Sequence, residues 1–360
     1  MRVDRARIGR YGRAARRWTR LLLSRPRPGL RVFYGHDAVP GPGARAAGGT
    51  AKSQRLAAWF PNSPTDFTLL YLGSTWLPRD LRPLLRLARH RGAPVVLNQD
   101  GIAYPGWAGD RTEALNRVNR HALRAADHVL YQSRFSKESA DLFLGEAEAP
   151  WEILPNAVDV ERFTPAPGPP MGGPVLLLGG DQTQEYRLEL ALRTLALVRE
   201  REPEALLLVS GRLVSSPQPL VDELGLAGHV ELLSEYEQRD APDIYRRAHL
   251  LLHTKVNDPC PSAVIEAMAC GLPVVYPASG GTVELVGDEA GIGVSHPQSW
   301  DRDEPPSPEA MAEAVDQVLA ERAPYAAAAR ERAVERFALE PWLERHAELF
   351  ATLLDRAVAA

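Results

Sequence analysis

Cysteine, lysine and long apolar runs are all scarce in this chain of 360 residues. Two cysteines, Cys260 and Cys270, are too few for a disulfide framework, so a reducing, cytoplasmic setting is expected. No apolar stretch approaches the roughly 20 residues that a membrane-spanning helix needs. The N-terminus is charged and lacks the apolar h-region of a secretory signal, so none is expected. No G-x-G-x-x-G follows a strand-like run, which argues against a nicotinamide dehydrogenase. Lysine occurs three times, at Lys52, Lys137 and Lys255, against 39 arginines. A GC-rich genome accounts for the bias, and each surviving lysine then either marks a position where a compact ammonium is wanted in place of a planar fork or survives by chance.

Apolar residues make up 45% and charged residues 24% of the chain, the balance of a globular protein. At about 150 residues per domain the length allows two. The net charge of −4 hides an asymmetry. Residues 1–30 hold ten arginines and one acid, a charge of +9, and the remainder carries −13. So acidic a body argues against nucleic acid as a partner. In the basic arm, Ile8, Tyr11, Ala15, Trp18, Leu21 and Leu22 recur at near-helical spacing between arginines. The pattern suits a peripheral helix on anionic lipid, at the inner face of a membrane; the competing reading is a solvated arm.

From residue 31 onward short apolar runs alternate with helical patterns. The runs are Arg31–His36, Thr68–Gly73, Pro94–Gln99, His128–Ser133 and Trp151–Asn156, with helices such as Leu81–Arg91 and Arg111–Ala126 between them. Phe163–Pro174, with five prolines and three glycines, breaks the rhythm as a linker. It restarts with runs at Val175–Gly180, Ala205–Gly211, His229–Ser234, His249–Lys255, Leu272–Pro277 and Gly291–Ser295, and Tyr325–Ala360 reads as helix with a break near Leu339–Pro341. The expected fold is α/β: two doubly wound parallel-sheet domains, 31–165 and 166–339, facing a cleft where ligands bind beyond the strand ends.

The segment His253–Val275 is the richest in chemistry. A strand ends near Lys255, and Pro261 or Ser262 opens a helix that Gly271 closes and Pro273 cannot continue. The N-terminus of that helix offers unpaired N–H groups to an anion. Lys255 and Asp258 precede it, and Glu266 lies one turn inside, suited to accepting hydrogen bonds from a hydroxyl pair. The bland alternative is an ordinary βα unit with surface charges. Ser279-Gly280-Gly281-Thr282-Val283-Glu284 follows the next strand, where adjacent glycines let backbone approach a ligand.

Pro261-Ser-Ala-Val-Ile-Glu-Ala-Met-Ala-Cys-Gly-Leu-Pro-Val-Val275, with the Ser-Gly-Gly-Thr-Val-Glu run just after it, resembles the donor-site signature of glycosyltransferase family 4. Leu154–Pro165 is similar to that family's inter-domain crossing motif, and Val129–Phe135 to the strand and turn before it. The resemblance runs in order over about residues 31–350. It implies a GT-B architecture and a retaining, metal-independent transfer of a sugar from a nucleotide-diphosphate donor, with no cofactor. It also implies that the acceptor side is N-terminal, that the donor side is C-terminal, and that helix 340–357 packs back on the N-terminal domain. Carried over residue by residue, Glu266 holds the ribose hydroxyls and Asp258 stands where the family has a glutamate near the sugar. Gly280, Gly281 and Thr282 flank the sugar and diphosphate, and Gly48 and Gly49 match the glycine loop of the first βα turn. Three departures stand out. The chain reads Gly179-Gly-Asp-Gln182 where the family has an arginine. Arg187 replaces the following lysine, forming with Lys255 a cationic clamp. Asp100 stands where the family often has a histidine, and either orients an acceptor hydroxyl, contacts the donor sugar or simply forms a turn.

On the acceptor side, Lys52, Trp76, Tyr104, Trp107 and Arg134 are candidates, with Trp59, Tyr71, Ser74, Ser133 and Lys137 nearby. Core packing explains the aromatics equally well. The acceptor class stays open among a glycan, a lipid-linked carbohydrate and a small molecule. The competing class of function is a catalytically silent GT-B scaffold that binds a nucleotide sugar or a partner.

Overall fold

The alternating pattern builds two parallel sheets in a computed structural model that describes residues 17–41, 44, 49–168, 170–233 and 238–359. The first sheet contains β1 (Val32–Phe33), β2 (Leu69–Gly73), β3 (Val95–Gln99), β4 (His128–Tyr131) and β5 (Trp151–Ile153), side by side in chain order. The second contains β6 (Val175–Leu178), β7 (Leu206–Val209), β8 (Val230–Leu232), β9 (Leu250–Leu252), β10 (Val274–Pro277) and β11 (Gly291–Val294), in the order β11-β10-β9-β6-β7-β8. Strand order therefore reverses between β6 and β9, where a parallel sheet opens a crevice beyond its carboxyl ends. Runs such as Leu176–Leu178 and Leu250–Leu252 are wholly buried because helices cover both faces.

Around the first sheet lie α1 (17–23), α2 (Gly49–Trp59), α3 (Leu81–His90), α4 (Pro105–Ala108), α5 (Thr112–Ala125) and α6 (Arg134–Leu144). Around the second lie α7 (Glu185–Val198), α8 (Gln218–Glu223), α9 (Ala241–Tyr245), α10 (Ser262–Ala269), α11 (Thr282–Val286), α12 (Pro308–Ala320) and α13 (Arg322–Phe337), and α14 (Leu339–Ala359) ends the chain. One face of the first sheet packs Phe33, Leu70, Leu72 and Tyr131 against residues of α1, α3, α5 and α6, including Leu21, Leu84, Leu123 and Ala140. The opposite face packs Tyr34, Tyr71 and Val96 against Leu56 of α2 and Trp342, Leu343, Phe350 and Leu353 of α14.

The chain crosses between the domains twice at one place. Ala338 is extended (φ −61°, ψ 141°) between α13, whose Ala329, Ala333 and Phe337 belong to the C-terminal core, and α14 on the N-terminal sheet. There Val158 N–H donates to Phe337 O at 2.8 Å, so the outgoing and returning strands of the crossing pair with each other. Pro341 sits in the first turn of α14, where its missing N–H has no partner to lose.

The basic arm departs from the expectation of a free lipid-facing helix in the part that is described. Leu21 is buried in the N-terminal core and Trp18 packs against it, while Leu22 and Leu23 are exposed. Arg17 donates to Gly35 O at 2.7 Å and pairs with Asp37 and Asp80 at 3.3 and 3.2 Å. Ile8, Tyr11 and Ala15 lie outside the described residues. Among the described residues no helix is long and apolar enough to cross a membrane.

Phe350 is fully buried and meets Phe60 and Tyr71 edge-on, at 5.2 and 6.0 Å. Phe350→Ala is expected to destabilise the fold by about 3–5 kcal/mol, read by denaturant unfolding. A loss under about 1 kcal/mol would mean that α14 does not complete the N-terminal core.

Candidate functional site

Strand ends and helix starts from both domains border a single cavity of about 920 Å³. Residues of α2, the β3–α4 loop and α5 form one wall, and residues after β6 and β9 form the other.

The loop after β9 carries the charge. Asn257 turns it with a left-handed φ of 52°, a conformation that asparagine tolerates. Its N–H donates to Ser279 Oγ at 3.1 Å and its Nδ2 to Ser299 O at 3.2 Å. Asp258, next along, sits 3.1 Å from Lys255 Nζ. Burial acts to raise the Asp258 carboxyl, but Lys255, then His253 and Arg187, outweigh it and hold the group below the usual carboxylate range. His253 is fully buried, its Nε2 3.8 Å from Asp258, beyond hydrogen-bond reach. Burial pushes its ring down to about 3, so it is neutral at pH 7. Arg187, from the first turn of α7, is buried beside this group and donates to Asp181 O at 2.6 Å; among the described residues its Nε has no partner. The structure thus brings Arg187, Lys255 and Asp258 to one wall of the cavity.

Gly280, Gly281 and Thr282 stand behind that wall and do not border the cavity. A Cβ on Gly280 would lie 2.5 Å from Asp258 O, and one on Gly281 would lie 2.0 Å from Pro259 O. Gly281 N–H donates to Asp258 O at 2.9 Å. These glycines are therefore required by the packing of two protein loops.

Pro261 and Ser262 start α10, and among the described residues no side chain caps this end. Both border the cavity, so its first N–H groups are presented there. One turn in, Glu266 is buried, with Oε2 accepting from Tyr245 OH at 3.0 Å and Oε1 held at 3.1 Å by Arg55 Nη2, which reaches across from α2.

On the opposite wall Lys52 and Asp100 form a buried ion pair at 2.8 Å. Lys52 also donates to Asn98 Oδ1 at 3.1 Å. Asp100 accepts further hydrogen bonds from Ser74 Oγ (2.5 Å), Thr75 N–H (2.8 Å) and Thr75 Oγ1 (2.8 Å). With four donors on two oxygens it is saturated, so it positions Lys52 and the turn after β2 and has little capacity left as a base. Gly49 lies against it, its ideal Cβ 3.0 Å from Asp100 Oδ2; Gly48 lies outside the described residues.

Tyr104 and Trp107, two of the acceptor-side candidates, border the cavity. Trp76 does not: it stacks on His36 at 3.9 Å and packs against the N-terminal core. Arg134 is exposed away from the cavity, and its backbone N–H, with that of Phe135, donates to the Glu284 carboxylate at 2.9 Å. The N-terminus of α6 is thus occupied by an acid from α11. Sequence reasoning missed Arg55, Tyr245, His253 and Trp300 as cavity residues. Trp300 lies among Tyr104, Phe135 and Phe143, each 5.3–5.4 Å away, and its O accepts from Gly106 N–H at 2.7 Å. Only His253, as the first residue of the rich segment, carried a local signal.

The architecture described above is the GT-B fold. Residues 159–336 match the family described as Glycosyl transferases group 1. A D-inositol 3-phosphate glycosyltransferase of Salinispora arenicola is 30% identical over 212 residues, 51% of this chain and 47% of that protein. The chain spans about half the length of the first curated relatives it matches. A sucrose-phosphate synthase from Thermosynechococcus elongatus superposes with a TM-score of 0.68 at 20% identity, over 81% of this chain and 75% of that one. HepE of Anabaena, in complex with UDP-glucose, does so at 0.63 and 19%, over 80% and 79%.

A histidine whose folded value lies below its unfolded one binds fewer protons when native, so it makes stability rise as pH increases from about 3 to about 6.5. His253→Gln is expected to flatten the stability–pH curve in that window by up to about 1.4 kcal/mol per pH unit. Parallel curves for wild type and variant would show that the ring is not held neutral.

Proposed function

We propose that the protein is a retaining, metal-independent glycosyltransferase. It moves a sugar from a nucleotide-diphosphate donor to a carbohydrate, lipid-linked or small-molecule acceptor. One observation carries this reading: Glu266, the uncapped start of α10 and the Arg187–Lys255–Asp258 group converge on one cavity. The domain match over residues 159–336 supports it, as does the name of the D-inositol 3-phosphate glycosyltransferase, itself a sugar-transferring enzyme.

In this account Glu266 accepts hydrogen bonds from the ribose diol. The diphosphate lies toward the N–H groups of α10, with Arg187 and Lys255 neutralising the charge that grows as the C1–O bond to the β-phosphate breaks. Asp258 lies where it balances positive charge on the sugar ring. The acceptor oxygen bonds to C1 on the face the phosphate leaves, and its proton passes to the departing phosphate oxygen. Because protein cations supply the neutralisation, no metal is called upon. Lys52, fixed by Asp100, faces the same space from the N-terminal wall.

The test is thermal shift of the purified protein with UDP, GDP, ADP and dTDP in the presence of a chelator. One diphosphate at a hundredfold excess over the wild-type Kd is expected to stabilise the wild type by about 2.7 kcal/mol and Glu266→Ala by about 1.4 kcal/mol or less. Arg187→Ala is expected to lower kcat about a hundredfold or more with the fold intact. Stabilisation without turnover in any donor–acceptor assay would favour the silent-scaffold reading, and no stabilisation by any diphosphate would overturn the donor site.

A further inference from the structure

The Glu266 carboxylate is held from the opposite domain. Arg55 lies on α2, on the N-terminal wall of the cavity, and its Nη2 is 3.1 Å from Glu266 Oε1 while its Nη1 donates to Ala157 O at 2.7 Å on the inter-domain crossing. The two anchors fix the guanidinium plane across the cleft. Arg55 is a fifth exposed and Glu266 a tenth exposed at their side chains, so the pair is partly desolvated and in contact with the cavity. A ribose hydroxyl approaching Oε1 arrives where Arg55 Nη2 already stands.

We infer that Arg55 sets donor affinity by competing for Glu266. The inference rests on the reading of Glu266 as the ribose-binding acid. Donor binding then exchanges an inter-domain ion pair for hydrogen bonds to the ribose diol, and the freed guanidinium keeps its bond to Ala157 O. The same exchange couples donor arrival to the contact between the two domains. The competition is electrostatic, so it weakens with salt. The pairing needs a donor at Nη2 in a fixed plane, which lysine does not reproduce.

The experiment is calorimetric titration of the full chain with UDP, GDP, ADP and dTDP, at low and at high ionic strength, for wild type, Arg55→Ala, Arg55→Gln, Glu266→Ala and the Arg55→Ala/Glu266→Ala double variant. Arg55→Ala and Arg55→Gln are expected to bind the recognised diphosphate about 3–10-fold more tightly than wild type at low salt. The difference should shrink toward unity at high salt. On the Glu266→Ala background the Arg55 substitution should change nothing, because its target is gone. Arg55→Gln retains a polar side chain of similar length and serves if the alanine variant does not fold. Weaker or equal binding by the Arg55 variants, with Glu266→Ala still impaired, would overturn the competition and leave the donor site standing. Equal binding by wild type and Glu266→Ala, or binding of none of the four diphosphates by any variant, would overturn the donor-site reading itself and this inference with it.

Discussion

Asp100 and Glu266 lie buried around the cleft and Asp258 half-buried, and a carboxylate leaves water only where a cation and hydrogen bonds take the place of its hydration. Each has its own partner: Lys52 for Asp100, Lys255 for Asp258 and Arg55 for Glu266. That constraint explains much of the surrounding architecture. Lys52 fixes α2 against the β3 end, Lys255 fixes the turn before α10, and Arg55 joins the two walls. All three lysines of the chain pair with aspartate, the third being Lys137 with Asp141, which agrees with their survival in a chain that otherwise uses arginine.

The seam between the domains is built mostly from polar groups meeting backbone. Ser133 Oγ donates to Pro259 O at 2.7 Å, Asn156 Nδ2 donates to Cys260 O at 2.8 Å, and Glu284 caps α6. Trp300 adds one apolar plug among three aromatic rings. An interface of this kind is specific in register yet cheap to separate compared with a hydrophobic core, which suits a cleft that must admit and release a ligand. Cys260 and Cys270 are free and buried, with thiols pushed up to about 12, so both are inert packing groups.

Much of this was legible in the sequence. The apolar runs fall on strands because buried parallel strands read as continuous Val and Leu segments, and the Pro/Gly-rich stretch from residue 163 follows directly on the crossing at Val158. The segment from His253 to Val275 gave Lys255, Asp258, Ser262 and Glu266 together because they are near neighbours in one βα unit. What was not legible comes from long-range pairing. Arg55 is 211 residues from Glu266, and nothing in Gln54-Arg55-Leu56 marks it among 39 arginines. Gly280 and Gly281 look like a ligand-facing loop because the sequence shows permissive backbone and not which atoms approach it; here those atoms are the carbonyls of Asp258 and Pro259. Trp76 and Arg134 sit beside strand ends as predicted, but one stacks on His36 and the other turns to solvent.

The central claim is that the Glu266 carboxylate recognises the ribose diol of a nucleotide donor. Titrating wild type and Glu266→Ala with a nucleoside diphosphate and with its 2′,3′-dideoxy analogue isolates that contact as a double cycle. The account predicts that removing the hydroxyls weakens binding to the wild type by about tenfold or more and changes binding to Glu266→Ala little. An equal loss in both proteins would contradict it, since the hydroxyls would then be read by some other group.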